Sequence, residues 1–165
     1  MPGDTMDVRA AAETDIAHLA TVWHDGWHDA HARLVPAQLT RLRTLESFAA
    51  RLRAALRDVR VAGPLGAPAG FHMLKGDELY QFYVSAPSRG SGVAARLIAD
   101  AEAQLAANGT RTAWLACAIG NERAARFYEK SGWHRARTVI VASQTSDGPF
   151  PLEVWRYEKH LARLP

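Results

Sequence analysis

The sequence has very few residues that could crosslink the chain or carry it through a membrane. Cys117 is the only cysteine among 165 residues, so the sequence offers no intrachain disulfide, CxxC zinc site or iron–sulfur cluster. No uninterrupted apolar run approaches the roughly 20 residues that cross a bilayer. The first residues also lack the charged and apolar regions of a signal peptide. We therefore expect a cytoplasmic protein with no membrane partner.

Strong charge of one sign is absent as well. Lysine and arginine exceed aspartate and glutamate by 20 to 17, and this net charge of +3 suits an anionic ligand without identifying one. The excess has one visible cluster on a helical pattern, formed by Arg41, Arg43, Arg51, Arg53 and Arg57. Nucleic-acid binders usually have denser basic stripes with interleaved aromatic residues. The cluster therefore favours a solvated helix face over a nucleic-acid partner.

Hydrophobic residues make up 48% of the chain and charged residues 22%, which is typical of one soluble globular domain. Seven short segments have the apolar pattern of strands. They cover residues 6–12, 58–62, 70–74, 78–84, 112–118, 133–142 and 152–159. Turn residues separate the second, third and fourth segments, which predicts an antiparallel meander.

Four helices are predicted from apolar spacings of three and four residues. The first begins near Thr14 and has an apolar stripe of Ile16, Leu19, Trp23, Trp27 and Ala30. The second has Thr44 as a candidate cap and an inner face of Leu45, Phe48, Ala49, Leu52 and Leu56. The third begins near Gly90 and stops at Asn108-Gly109, and the fourth covers residues 122–130.

The predicted order is βααβββαβαββ. It describes an α+β (mixed α/β) domain with a mixed, mostly antiparallel sheet of about seven strands and about four helices. The fourth and fifth strands are joined through a helix, so we expect them to be parallel.

The loop between the fourth strand and the third helix has the clearest chemical signal. Gly90, Gly92 and Ala94 have little or no side chain, so backbone N–H groups can approach an anion at the positive helix start. A pyrophosphate would fit there. The loop lacks the Gly-Lys-Ser/Thr ending of a P-loop, and Ala95 stands where GxGxxG requires glycine. A glycine-rich turn that only redirects the chain is the alternative.

Two motifs about 30 residues apart resemble those of the GNAT superfamily of N-acetyltransferases. The first is Arg89-x-x-Gly92-x-Ala94 after an apolar strand. The second is the segment 121–133, which begins with Asn121, contains Phe127-Tyr128 and ends in Gly-Trp. The predicted element order is similar to that of the family over nearly the whole chain, so the resemblance implies a single GNAT-type domain over residues 1–165. Pro87 departs from the pattern, because many members have this proline one residue earlier.

The resemblance implies acetyl-CoA as the co-substrate and no metal. It places the pantetheine arm beside the backbone of the fourth strand, at Phe82, Tyr83 and Val84. It places the pyrophosphate at the following loop, formed by Arg89, Gly90, Ser91, Gly92, Val93 and Ala94. Asn121 would face the pantetheine amides, or cap the helix that follows it, and the two roles are compatible.

The resemblance also implies two catalytic residues. Tyr128 would give a proton to the departing thiolate, although packing beside Phe127 explains its spacing equally well. Glu78 is the first candidate for the base that deprotonates the amine, with a solvated carboxylate at the strand edge as the alternative. His72, His28 and His31 are further candidates because histidine titrates near neutrality.

Three histidines share one flank of the first helix. His24, His28 and His31 have spacings that could hold a metal, but a polar border beside the tryptophan stripe explains them better. We expect His28 and His31 to line the acceptor pocket. Cys117 lies in an apolar strand and is expected to be a buried structural thiol rather than an acyl carrier.

The combined interpretation is an enzyme that transfers acetyl from acetyl-CoA to a primary amine by direct attack in a ternary complex. The acceptor would be a small-molecule or peptide amine, and the closing strands could pair across a homodimer. The alternative is a non-catalytic, CoA-binding regulatory module.

Overall fold

The computed structural model describes residues 7–162. Met6, which the sequence places in the first strand, lies outside this range. The strands are β1 (Val8–Ala10), β2 (Val59–Ala62), β3 (Gly70–Lys75), β4 (Glu78–Val84), β5 (Thr112–Ala118), β6 (His134–Thr145) and β7 (Gly148–His160). The helices are α1 (Ile16–His31), α2 (Ala37–Leu42), α3 (Leu45–Ala54), α4 (Val93–Ala107) and α5 (Glu122–Lys130).

The seven strands form one mixed sheet in the order β1-β2-β3-β4-β5-β7-β6. The predicted meander of β2, β3 and β4 is antiparallel, and β4 pairs with β5 in parallel across the α4 connection. The α+β fold class and the order of elements are confirmed, with α2 as one additional helix. None of the helices within the described range is long and apolar enough to span a bilayer.

Two hydrophobic cores cover opposite faces of the sheet. On one face, Trp23 of α1 and Phe48 of α3 pack against Phe71 of β3, and all three are fully buried. On the other face, Leu105 of α4 packs with Tyr157 of β7. Side chains alternate between the faces of a strand, so β2 and β3 contribute to both sides. The middle strands are therefore held rigidly between helices.

Asp15 joins the first strand to the start of α1. Its carboxylate accepts hydrogen bonds from Arg9 Nη1 and Nη2 at 2.8 and 3.0 Å, and from the N–H groups of Ala12 and Gly66. Burial alone would raise the pKa of this carboxyl. The hydrogen bonds from Arg9 and the two amides outweigh burial and lower the pKa to about 2. Asp15 is therefore ionised at every physiological pH.

Some boundaries differ from the sequence prediction. Helix α2 has only six residues, too few for a visible apolar period, and Leu45 is exposed in the first turn of α3. Helix α4 begins at Val93, because Gly90 and Gly92 have φ angles of +77° and +91° that precede the helix. The last two strands are longer than expected and form a hairpin that turns at residues 146–147.

Candidate active site

Strands β4 and β5 diverge at the centre of the sheet. Within the described chain their ladder has one pair of residues, Glu78 and Trp114, at the amino-terminal ends of both strands. The β3–β4 register shifts between Met73 and Leu74, and Tyr80 has no partner in that ladder. Such a bulge bends a strand. It opens a central gap of about 70 Å³ whose lining includes Tyr83, Cys117 and Tyr128.

A groove of about 480 Å³ extends from this gap to the loop before α4, and we call it the loop groove. Its walls are the carboxyl end of β4, the loop, the start of α5 and one face of α1. A Cβ atom at Gly26 of α1 would lie 2.8 Å from Tyr83 Cδ1, so only glycine allows this close approach. The described residues lining the groove include Phe82, Tyr83, Val84, Ser88, Arg89, Gly90, Gly92, Ala94, Asn121, Arg123 and Tyr128.

The loop itself exposes backbone at the helix start. A Cβ atom on Gly90 would have no heavy atom within 4 Å, and Gly92, the N-cap residue of α4, has no side chain to accept from the first N–H groups of the helix. The first N–H groups of any helix have no partner within that helix, so those of α4 are available to an anion. The N–H groups of Arg89 and Ser91 differ, because they donate to the carbonyls of Ala86 and Ser88 at 3.2 and 3.3 Å.

The side chains of two predicted loop residues do not line the groove. Ser91 is outside the lining of the groove, and its hydroxyl also donates to the Ser88 carbonyl. Val93 is 2% exposed and packs with Ala62 and Leu97 in the core beneath the loop. The buried Val93 side chain anchors the start of α4, whose first N–H groups remain at the loop.

Two arginines lie at the mouth of the groove. Arg123 Nη2 of α5 is 2.9 Å from Asp29 Oδ2, and Arg89 Nη2 is 3.6 Å from the same oxygen. The hydrogen bond from Arg123 lowers the pKa of Asp29. Sequence analysis missed Arg123, although it is two residues after Asn121. These cations and the helix start make the mouth suitable for phosphate groups.

Asn121 both caps α5 and lines the neighbouring spaces. Its Oδ1 accepts from the Ala124 N–H at 3.4 Å, which caps α5, and the residue lines both the groove and the central gap.

Tyr128 lies where the loop groove meets the central gap. Its ring is 6.3 Å from that of Phe82 and 5.6 Å from that of Phe127, and the residue is 9% exposed. Burial raises the pKa of Tyr128 above its usual range. The phenol therefore keeps its proton at neutral pH and remains a hydrogen-bond donor.

A second cavity, of about 310 Å³, opens on the other side of the gap, and we call it the hairpin cavity. The β6–β7 hairpin, α1, α3 and the start of β4 form its walls. The described residues lining it include Trp27, His31, Arg43, Arg51, Lys75, Glu78, Tyr80, Tyr83, Trp114, Ser143 and Leu152. Tyr83 lines this cavity, the central gap and the loop groove, so the three spaces adjoin one another.

Glu78 is the residue in the hairpin cavity with the chemistry of a base. Burial raises the pKa of Glu78 to about 7, although Lys75 and Arg156 oppose the shift. A carboxylate that titrates near neutrality is suited to proton transfer at physiological pH. The half-buried position of Glu78 differs from the solvated strand edge considered as its alternative.

The histidines have different surroundings. His31 lines the hairpin cavity, where its ring stacks on Trp27 with centroids 5.1 Å apart and burial lowers its pKa. His28 is outside that lining, and its Nε2 is 2.6 Å from the Arg43 carbonyl. His72 is fully buried against α4, with Nε2 2.8 Å from Asp100 Oδ2, so it faces away from the cavity.

Metal-dependent or covalent chemistry would require a cluster of metal ligands or a reactive thiol. Residues 7–162 contain no cluster of three His, Cys, Asp or Glu side chains that could hold a metal ion. Burial raises the pKa of Cys117 to about 12, so its thiol is protonated at neutral pH.

The predicted arginine face is partly wrong. Arg41, Arg53 and Arg57 are exposed, but Arg43 is 3% exposed and Arg51 is half-buried over Trp23. Both of these arginines line the hairpin cavity.

Comparison with known proteins identifies the family. The profile of the acetyltransferase (GNAT) family matches residues 16–133, which is more than half of the chain. The chain therefore belongs to the GNAT acetyltransferase family and is an N-acetyltransferase. A search of curated protein sequences gave no match.

Solved structures have the same fold. A GCN5-related N-acetyltransferase from Rhodopseudomonas palustris is 24% identical, with 93% of this chain and 94% of that chain covered and a TM-score of 0.72. A ribosomal-protein-alanine N-acetyltransferase from Brucella melitensis is 20% identical, with 93% of this chain and 99% of that chain covered and a TM-score of 0.69. A PaiA N-acetyltransferase from Thermoplasma acidophilum in complex with coenzyme A is 17% identical, with 93% of this chain and 98% of that chain covered and a TM-score of 0.63.

Proposed function

We propose that this protein transfers an acetyl group from acetyl-CoA to a primary amine, by direct attack of the amine while both substrates are bound. The observation that carries the proposal is the junction of the loop groove and the hairpin cavity at the central gap. Glu78 lies on the cavity side of this gap, and Tyr128 lies on the groove side.

The loop groove fits coenzyme A by its donor set. The free N–H groups at the start of α4 and the Arg89 guanidinium suit the pyrophosphate. The edge of β4 is unpaired beyond Glu78, so the backbone of Phe82, Tyr83 and Val84 is open to the amides of a pantetheine arm. The Thermoplasma structure of the same fold was solved in complex with coenzyme A, which supports coenzyme A as the ligand.

Acetyl-CoA supplies the acetyl thioester, and two side chains of this chain handle the protons. Glu78 accepts a proton from the amine as the nitrogen–carbon bond forms. Tyr128 donates its phenol proton to the sulfur as the carbon–sulfur bond breaks, so coenzyme A leaves as a neutral thiol. The acceptor amine enters through the hairpin cavity, where His31 lies on the wall. His28 acts indirectly by holding the Arg43 backbone.

The test substitutes one glycine near each end of α4. Both glycines have a positive φ angle, so a substitution strains the backbone at either position. Gly90 and Gly109 have φ angles of +77° and +92°, and a Cβ atom on either has open space around it. Glutamate at either position costs about 1–3 kcal/mol of stability. Only Gly90→Glu places a carboxylate beside the loop groove. We expect it to raise the Kd of acetyl-CoA at least about 10-fold by charge repulsion.

Isothermal calorimetry with acetyl-CoA measures both variants, and thiol release in the presence of an amine panel measures transfer. Gly109→Glu should keep the affinity of the unmodified protein. Equal affinities of the two variants would show that the loop does not bind the pyrophosphate.

A further inference from the structure

The hairpin cavity has an excess of positive charge that the transfer reaction does not explain. Its described lining has three cationic side chains, Arg43, Arg51 and Lys75, and one carboxylate, Glu78. Glu78 is itself only partly ionised near neutral pH. A site for polyamines or other polycations would need the opposite balance.

Arg43 is buried without a carboxylate partner. Nη1 donates to the Gln144 carbonyl at 2.6 Å and Nη2 to Ser143 Oγ at 2.7 Å, while Nε is buried with no hydrogen-bond partner. The residue is 3% exposed. Burial, followed by repulsion from Arg51, lowers the pKa of Arg43 to about 10. A guanidinium in such surroundings is strongly stabilised by an anion.

Arg51 is held at the same cavity by aromatic residues. Its Cζ is 4.4 Å from the Trp23 ring centroid, and Nη2 donates to Tyr80 Oη at 3.2 Å. Among residues 7–162, no carboxylate lies within 4 Å of either Arg43 or Arg51 as an ion pair. The cation–π contact fixes the planar fork without neutralising it.

We propose that the acceptor is a small amine that also carries a carboxylate, which binds to Arg51 and Arg43 while the amine faces Glu78. This inference rests on the proposed function and adds the substrate class. A carboxylate matches the planar guanidinium fork of Arg51 in shape and can accept two hydrogen bonds from it. Trp27, Trp114 and Leu152 supply apolar walls for the rest of the molecule.

The experiment uses amines with and without the carboxylate, and rates are corrected for the fraction of free amine, because a carboxamide lowers the pKa of a neighbouring α-amine. Phenylalanine, leucine and 4-aminobutyrate are each compared with the corresponding carboxamide, and phosphoethanolamine is included as a phosphate-bearing amine. The readouts are kcat/KM from thiol release and Kd from calorimetry with the unmodified protein. A charge-assisted hydrogen bond should favour one or more of the carboxylates over its amide by about 10- to 100-fold.

Arg51→Gln should abolish this preference, and Arg51→Lys should reduce it by keeping the charge without the fork. Arg53→Gln is the matched control, because Arg53 is exposed on the same helix and does not line the cavity. Circular dichroism melts verify that each variant is folded, and if Arg51→Gln is not, the Arg51→Lys result decides.

Amides that react as well as the carboxylates would overturn the inference and leave the acetyl transfer intact. So would a preference that survives the Arg51 substitutions, or faster acetylation of phosphoethanolamine. Carboxylate binding that depends on Arg51 without any acetylation would uphold the carboxylate site and contradict the proposed function.

Discussion

The leaving-group role proposed for Tyr128 depends on its phenol oxygen, whereas a packing role depends only on its ring. Tyr128→Phe keeps the ring contacts with Phe82 and Phe127 but removes the O–H donor. We expect the fold and the Kd of acetyl-CoA to be retained while kcat falls by roughly 10²- to 10⁴-fold, the usual range for a lost general acid.

Steady-state kinetics measures this effect, with an amine for which the chemical step limits turnover. Tyr157→Phe is the control, because Tyr157 is fully buried next to Tyr128 but lies outside the groove lining. An equal loss of kcat in both variants would assign Tyr128 to packing.

Glu78 should determine the pH dependence of the reaction. Its carboxyl has a pKa of about 7 and must be ionised to accept a proton, so kcat/KM should increase as pH rises through 7. In Glu78→Gln this increase should disappear, and the remaining dependence should follow the amine alone. Exposed Glu153→Gln on β7 should keep the original profile.

The same carboxyl also makes stability depend on pH, with a definite sign. Its pKa is raised from an unfolded value of 4.5 to about 7, so between these values the unfolded chain loses the proton first. Stability therefore falls as pH rises from 4.5 to 7, and the full cost remains above 7. Glu78→Gln should have a higher Tm than the unmodified protein at pH 8 and a similar Tm at pH 4. Calorimetric melts at both values test this, and a lower Tm of the variant at pH 8 would contradict it.

At the scale of elements, two of the histidines on α1, His31 and His28, have different expected roles, one in binding and one in positioning. His31 lies on the cavity wall, whereas His28 joins α1 to the α2–α3 connection through the Arg43 carbonyl. We expect His31→Ala to raise the acceptor KM by direct loss of contact. His28→Ala should lower the Tm by a few degrees, because it removes a hydrogen bond worth about 1 kcal/mol.

Kinetics and thermal melts on the same preparations distinguish the two effects. His24→Ala on the same flank is the control, since His24 bonds only its exposed neighbour Asp25. A KM that stays constant in His31→Ala would remove His31 from the acceptor site.

Local sequence signals predicted the elements around the loop groove accurately. Strand β4, strand β5 and helix α5 have the predicted bounds, because each is long, strongly patterned and bordered by turn residues. The groove residues follow from these elements, since a strand end, a glycine-rich loop and a helix start are adjacent in the chain.

The hairpin cavity could not be predicted in the same way. Arg43 donates hydrogen bonds to Ser143 and Gln144, which lie about 100 residues further along the chain. Arg51 of α3 donates a hydrogen bond to Tyr80 of β4. The helical pattern of the sequence assigned both arginines to a solvated face, because such a pattern gives no information on a hairpin that folds back over these residues. Long-range packing determined these positions.

At the scale of the whole molecule, the central gap bears on whether acetyl passes directly to the amine or through an acyl-enzyme. The loop groove and the hairpin cavity adjoin through this gap, so an amine can reach a thioester without an acyl-enzyme. The candidate nucleophile at the gap is Cys117. Its thiol pKa of about 12 leaves almost no thiolate at neutral pH, so it is a poor acyl carrier.

We therefore expect initial-velocity plots with varied acetyl-CoA and amine to intersect, as a ternary complex requires, rather than to be parallel. Cys117→Ala should keep kcat within about 3-fold and lower the Tm by a few degrees through the small cavity it leaves. Intact-protein mass spectrometry after incubation with acetyl-CoA alone should show no mass gain of one acetyl group. Parallel lines, together with an acetyl adduct that disappears in Cys117→Ala, would instead establish a two-step transfer through the buried thiol.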